Sequence, residues 1–338
     1  IDTRKTDEWK ENLERVLDGR TPDYLVVSHL EPDHAGSIKE FADKYPEAKI
    51  VASAKAIAML PQFFEIADLA DRAVAVKEGE ELSLGSHTLQ FFMAPMVHWP
   101  EVMVEYEKSE KILFSADGFG KFGALDADED WTCEARRYYF NIVGKYGAQV
   151  QALLKKAATL DIQTICPLHG PILKENLGYY IGKYMTWSSY EPEDDGVLVA
   201  YASIHGNTKK AAEKMKEILE AKGAKKVAIT DLSRDDMAEA IEDAFRYDKL
   251  VLAAASYDAS VFPCMETFLN KLTNKNYQNR KIAIIENGSW APTAARVMKS
   301  YVEKMKKITL CEKTVTIKSA MKDADVIAME ELADELLA

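Results

Sequence analysis

Two α/β domains joined by a short acidic linker are predicted from three observations. Residues 1–190 alternate short apolar runs with loops rich in histidine and carboxylates, whereas residues 196–338 settle into regular strand–helix alternation. Between them, Glu191-Pro192-Glu193-Asp194-Asp195 is a charged, proline-containing break. A chain of 338 residues, 47% of them hydrophobic, is also long enough to build two separate cores.

In the first domain the strand candidates are Tyr24 to Val27, Lys49 to Ala52, Ala73 to Val76, Leu89 to Met93, Val102 to Tyr106, Lys111 to Phe114 and Thr164 to Cys166. Glu107-Lys108-Ser109-Glu110 reads as a hairpin turn. Helices are expected over Ile38 to Tyr45 and from about Asn141 to Leu160. In the second domain, Val197 to Tyr201, Lys226 to Thr230, Leu250 to Ala254, Lys281 to Ile285 and Thr314 to Ile317 are unbroken apolar runs separated by helical segments, from Lys209–Ala221 to Ala324–Leu337. Five such strands with crossover helices predict a doubly wound parallel sheet.

Composition removes several classes of function. The 43 basic and 55 acidic residues leave a net charge of −12 without a lysine- or arginine-rich block, which argues against nucleic acid or an anionic membrane as partner. No apolar run is long enough to span a bilayer. Cys133, Cys166, Cys264 and Cys311 are widely spaced and form no CxxC pair, so neither a zinc ribbon nor a disulfide framework is indicated. A reducing, cytoplasmic compartment is expected.

Chemistry concentrates in loops that follow strands. His29-Leu30-Glu31-Pro32-Asp33-His34 places four ligand-type side chains within six residues, and His98, Asp117 and His169 follow three later strands. Strand-end loops gather side chains from distant positions at one edge of a scaffold. Four imidazoles and three carboxylates exceed the needs of one tetrahedral ion and suit two metals with one carboxylate shared. An all-nitrogen-and-oxygen donor set fits iron, manganese or zinc.

The second domain has its own constellation. Ser203-Ile204-His205-Gly206-Asn207-Thr208 follows the first strand and opens a helix, so hydroxyls and free N–H groups can cradle a phosphate. Ser256-Tyr257-Asp258-Ala259 and Asn287-Gly288-Ser289-Trp290 follow the third and fourth strands, with Tyr257 and Trp290 as candidates to stack on a flat ring. No G-x-G-x-x-G opens the first helix, which disfavours NAD.

The motif H-x-E-x-D-H with its spaced His, Asp and His is similar to the metallo-β-lactamase superfamily, and glutamate in its third position, Glu31, resembles the flavodiiron proteins. The 203–208 loop resembles the flavodoxin phosphate loop, with His205 where threonine is usual. The resemblance implies an N-terminal metallo-β-lactamase-like αββα sandwich, with further strands before Ile1, and a C-terminal flavodoxin-like domain binding FMN. It implies one iron held by His29, Glu31 and His98, a second by Asp33, His34 and His169, and Asp117 bridging, with no catalytic residue beyond these ligands. It further implies reduction of dioxygen to water, of nitric oxide to nitrous oxide, or both. Electrons would come from rubredoxin or a similar small carrier, and the chain would form a head-to-tail homodimer. Reduced FMN and a diferrous pair hold two electrons each, matching the four that dioxygen requires and exceeding the two needed to couple two nitric oxides. The alternative is a zinc-dependent hydrolase of the lactamase fold fused to a flavodoxin-type carrier.

Overall fold

A computed structural model describes residues 1–338. The chain packs as two compact units, one formed by Ile1–Glu129 with Ala148–Tyr184, the other by Asp130–Gly147 with Met185–Ala338. The packing division therefore differs from a linear cut near residues 190–196. Residues 130–147 join the second unit because the Arg136 guanidinium, 3% exposed, donates to Glu193 at 2.8 Å and to Glu242 at 2.6 Å. Phe140 also stacks on Phe245 with ring centroids 4.2 Å apart, and Trp187 donates its indole N–H to Glu193 at 2.8 Å.

The first unit carries two sheets. The parallel sheet contains β1 (Tyr24–Val27), β2 (Lys49–Ser53) and β3 (Ala73–Val76) in that order. The mixed sheet runs β4 (Glu81–Ser83), β5 (Thr88–Met93), β6 (Met103–Glu107), β7 (Ile112–Phe114) and β8 (Thr164–Cys166), antiparallel except for the parallel β7–β8 pair. The expected hairpin joins β6 to β7, with Glu107 opposite Ile112.

The sandwich follows from side-chain alternation in β2. Val51 packs with Val76, Leu89, Phe91 and Met103 between the sheets, whereas Ile50 and Ala52 face outward onto Ile38, Ala42, Ala56 and Leu60 of the covering helices. The helix expected over Asn141–Leu160 is split instead. Helix Trp131–Tyr138 passes through wider and tighter turns at Tyr139–Val143 and Gly144–Tyr146 before helix Gly147–Ala157 begins. At the join, a Cβ on Gly147 would strike the Ser188 carbonyl and the Tyr190 ring, so the chain can pass there only without a side chain.

The second unit is the predicted doubly wound sheet. It contains β9 (Asp194–Ala202), β10 (Val227–Asp231), β11 (Tyr247–Tyr257), a short β12 (Ser260–Val261), β13 (Gln278–Asn287) and β14 (Lys306–Ile317). The order β10-β9-β11-β13-β14 is parallel throughout, and β12 adds an antiparallel sixth strand against β11. Strands covered by helices on both faces need continuous apolar runs, and Val197 to Ala202 are all buried. The order of strand addition reverses at β9, with β10 on one side and β11 on the other, and an open α/β sheet places its crevice beyond the carboxyl ends of the strands at such a point.

Arg136 holds two buried carboxylates, so its loss strands both charges. Arg136→Ala is expected to lower stability by about 3–5 kcal/mol, read from the urea midpoint of the second unit's transition; a loss below about 1 kcal/mol would mean that the triad is solvated.

Candidate metal centre and flavin pocket

The HLEPDH motif begins just beyond β1. Leu30 is fully buried and pins the segment, and Pro32 starts a single helical turn, Pro32–Ala35, that carries Asp33 and His34. His98 lies in the loop after β5, Asp117 after β7 and His169 after β8. All seven side chains converge, as the sequence reading expects.

They form two groups that share one carboxylate. His29 Nε2 is 3.4 Å from both Glu31 Oε2 and Asp117 Oδ2, while His98 Nε2 is 3.0 Å and 3.1 Å from the same two atoms. His34 Nε2 is 3.5 Å from Asp33 Oδ2 and 3.1 Å from Asp117 Oδ1, and His169 Nε2 is 3.3 Å and 3.6 Å from those atoms. Asp117, 1% exposed, thus turns Oδ2 to one group and Oδ1 to the other.

Hydrogen bonding does not account for this crowding. His29 Nε2, His34 Nε2, Asp33 Oδ1 and both Asp117 oxygens are buried without a hydrogen-bond partner. Ligands on bonds of about 2.1 Å, separated by tetrahedral to octahedral angles, stand roughly 3.0–3.4 Å from one another. The spacings within each group scatter about that range, so the residues present fit two cations. Burial works against ionisation of Asp117, yet the imidazoles of His34 and His98 outweigh it and hold the carboxyl well below its usual range.

Glu101 is a part of the site that the sequence reading missed. Its Oε1 lies 2.8 Å from His29 Nδ1 and accepts the Leu30 N–H at 3.0 Å. Burial would favour the neutral acid, but these two bonds hold Glu101 below the ordinary range. An ionised Glu101 fixes the proton of His29 on Nδ1 and directs the Nε2 lone pair at the donor cluster. Trp99 closes that side, its ring edge-on to His29 at 5.2 Å. A glutamate next to a proline belongs to no motif, so only the fold reveals Glu101.

In the second unit the three predicted loops line one pocket of about 450 Å³. Ser203, Ile204, His205, Asn207 and Thr208 form one wall, Ser256 to Ala259 a second, and Asn287 to Trp290 a third. Gly206 is the N-cap of helix Asn207–Ala221 with φ of +89°, a left-handed conformation that suits glycine, and its N–H donates to Ser203 Oγ at 3.1 Å. The free N–H groups of that helix and its dipole suit an anion, and neither lysine nor arginine lines the pocket.

Two of the predicted polar groups serve the frame. Ser256 Oγ accepts the N–H groups of Thr293 and Ala294 at 2.8 and 3.2 Å, and the Asn287 amide exchanges bonds with the Ser319 backbone at 2.9 and 3.1 Å. Asp258 and Ala259, both left-handed, make the tight β11–β12 turn that presents Tyr257. Tyr257 is 44% exposed and Trp290 93% exposed, so both rings are available to a flat ligand. Ser319 and Thr293, which the sequence reading did not select, complete the lining.

An αββα sandwich with a shared-carboxylate donor cluster, continued by a five-stranded parallel sheet with an anion-binding loop, defines a two-domain protein of the β-lactamase and flavodoxin folds. Residues 4–170 match the family model for ODP family beta lactamase, and residues 198–316 that for a flavodoxin domain. An uncharacterised protein of Methanocaldococcus jannaschii is 33% identical over 247 residues, covering 69% of this chain and 62% of its own length. The anaerobic nitric oxide reductase flavorubredoxin of Vibrio vulnificus is 26% identical over 301 residues, covering 86% of this chain and 60% of the relative. A mutant of the flavo di-iron protein of Thermotoga maritima superposes with a TM-score of 0.87 at 25% identity, over 99% of this chain and 84% of that one. The chain belongs to the flavodiiron protein family. It spans about three-fifths of the length of these two curated relatives.

Glu101→Ala is expected to weaken metal binding by roughly 10–100-fold in chelator competition while leaving the fold intact. Glu105 offers a pH test. Burial in β6 pushes its carboxyl up to about 8 from the ordinary 4.5, against the pull of the Ser28 hydroxyl that donates to it at 2.9 Å. The folded protein thus keeps a proton that the unfolded chain loses. This contribution to stability is full below pH 4.5, declines through the window up to about 8 and is flat above it. Glu105→Gln should remove a pH-dependent loss of at most roughly 4–5 kcal/mol, so denaturant midpoints of the two proteins at about pH 5 and pH 9 should diverge in the variant's favour at the higher value.

Proposed function

We propose that this chain is an oxidoreductase that reduces a diatomic gas, dioxygen to water or nitric oxide to nitrous oxide, at a diiron centre served by FMN. The observation that carries the reading is Asp117, whose two oxygens each face one half of a seven-donor cluster in a chain that also holds a flavin-sized, anion-favouring pocket. His29, Glu31 and His98 would hold one iron, Asp33, His34 and His169 the other, and Asp117 would bridge. The irons would supply open positions for the gas and two electrons, and FMN two more.

The protein's own part is positional. Glu101 keeps the Nε2 lone pair of His29 aimed inward, and fully buried Leu30 and half-buried Trp99 wall that side of the first group of donors. In the flavin pocket the helix at Asn207 and the hydroxyls of Ser203 and Thr208 would bind the FMN phosphate, while Tyr257 and Trp290 would flank the ring. The names of the relatives, a flavorubredoxin and a flavo di-iron protein, support both cofactors. A rubredoxin-like carrier would deliver electrons. A head-to-tail homodimer would place the exposed Trp290 of one copy toward Leu168 and Ile172, the exposed apolar residues that flank His169, of the other.

Elemental analysis and flavin release from iron-replete protein are expected to give about two irons and one FMN per chain, the donor counts that the two sites provide. Asp117→Ala should abolish consumption of either gas with FMN still bound. Zinc in place of iron, with hydrolase activity, would overturn the reading.

A further inference from the structure

The first unit contains a second cavity, of about 30 Å³, that none of this chemistry uses. Its inner end is formed by Val97, Gly118, Phe119 and Tyr184, and helix Gly147–Ala157 closes it with Leu154 and Ala157. Only carbon faces the space, because the polar groups along its walls are engaged elsewhere. Ser115 Oγ donates to the Gly118 carbonyl at 2.6 Å, the Phe119 N–H donates to the Tyr184 hydroxyl at 2.7 Å, and Lys156 Nζ donates to Glu78 and the Met93 carbonyl, both at 2.9 Å.

A water molecule needs two to four polar partners to settle in a cavity, and small apolar cavities stay dry yet accept apolar ligands and noble gases. The volume suits a single atom or diatomic molecule. The position is as informative as the lining. Val97 faces the cavity while the next side chain, His98, reaches Asp117 at 3.1 Å. Ser115 and Gly118 bracket Asp117, and the turn has left-handed, non-glycine backbone at Ala116 (φ +48°) and Phe119 (φ +67°). Such conformations persist only where the surroundings enforce them. This turn sends Asp117 to the donor cluster and the Phe119 ring to the Tyr184 ring, at 4.4 Å, on the cavity side.

We infer that this cavity is a holding site for one molecule of a small apolar gas, on the reverse side of the wall that presents His98 and Asp117. The physiological occupant, dioxygen or nitric oxide, rests on the function proposed above; the binding of apolar gas does not. The cavity concentrates gas beside the centre and so acts on the Michaelis constant.

The test uses xenon as the probe, in pressurised crystals of the full chain, with gas kinetics of the metal- and flavin-loaded protein alongside. A xenon atom between Phe119 and Leu154 is expected. Ala157→Phe fills the cavity from a half-buried position at the end of its helix. It should abolish the xenon site and raise the KM for gas several-fold, with kcat and iron content unchanged. Leu154→Ala, which enlarges the space, should raise xenon occupancy and lower KM, and it decides the matter if the first variant does not fold. Absence of xenon from the unmodified protein would overturn the assignment, and so would xenon binding whose loss leaves KM unmoved. A xenon site in a protein that reduces neither gas would overturn the proposed function and leave the gas site standing.

Discussion

Everything in the first unit is arranged around a carboxylate that has no business being ionised where it lies. Asp117 is 1% exposed, and neither of its oxygens has a hydrogen-bond partner. Burying an unpaired carboxylate costs several kcal/mol or drives it to protonate. Two imidazoles at 3.1 Å favour the ionised form, but their nitrogens are themselves lone-pair donors converging on the same space. A cluster in which nitrogen and oxygen donors crowd at 3.0–3.6 Å, with five of its atoms buried and lacking a hydrogen-bond partner, is stable as a cation site, where one positive charge satisfies several donors together.

That constraint explains why the scaffold is a sandwich with donors at strand ends. The donors come from β1, β5, β7 and β8, which belong to two different sheets, so their relative positions depend on the Val51, Phe91 and Met103 layer between those sheets. The flavin pocket follows the same logic in a different fold. Three loops at the carboxyl ends of β9, β11 and β13 line it; Ser256 locks the β11 loop to the β13 loop, the Asn287–Ser319 exchange ties the β13 loop to the end of β14, and the β9 loop is braced within itself by Ser203. The loops can then offer backbone N–H groups and exposed rings at fixed spacing. Catalytic and binding groups on rigid strand ends hold geometry better than those on free loops.

Much of this was legible in the chain itself. HLEPDH is dense enough to announce a metal cluster, and five apolar runs with helices between them announce a doubly wound sheet. What was not legible is what depends on contacts across sequence. Glu101 is 72 positions from the His29 it orients, and nothing around it marks a ligand-orienting residue. Ser319 enters the pocket from the far end of β14. Ser256 and Asn287 have the right chemistry for a ligand, yet their polar atoms bind the frame. The helix expected from Asn141 begins only at Gly147, after the irregular turns of Tyr139–Tyr146, and the helix before those turns belongs to the second unit through Arg136. No periodicity could reveal that, because the partners, Glu193 and Glu242, lie beyond the linker or just before it ends.

The contrast between Glu101 and Glu105 shows how finely the charge of the centre is set. Both are almost completely buried, and they are four residues apart. Glu101 takes bonds from an imidazole and a backbone N–H and stays charged, whereas Glu105 has the Ser28 hydroxyl and is pushed up to about 8. With Glu31, Asp33 and Asp117, an ionised Glu101 makes four negative charges around the donor cluster, the number that two divalent cations would cancel. A fifth charge at Glu105 would leave that balance negative in a medium of low dielectric. The environment of each glutamate, one in the loop beside His29 and the other in β6 behind Ser28, keeps the count at four.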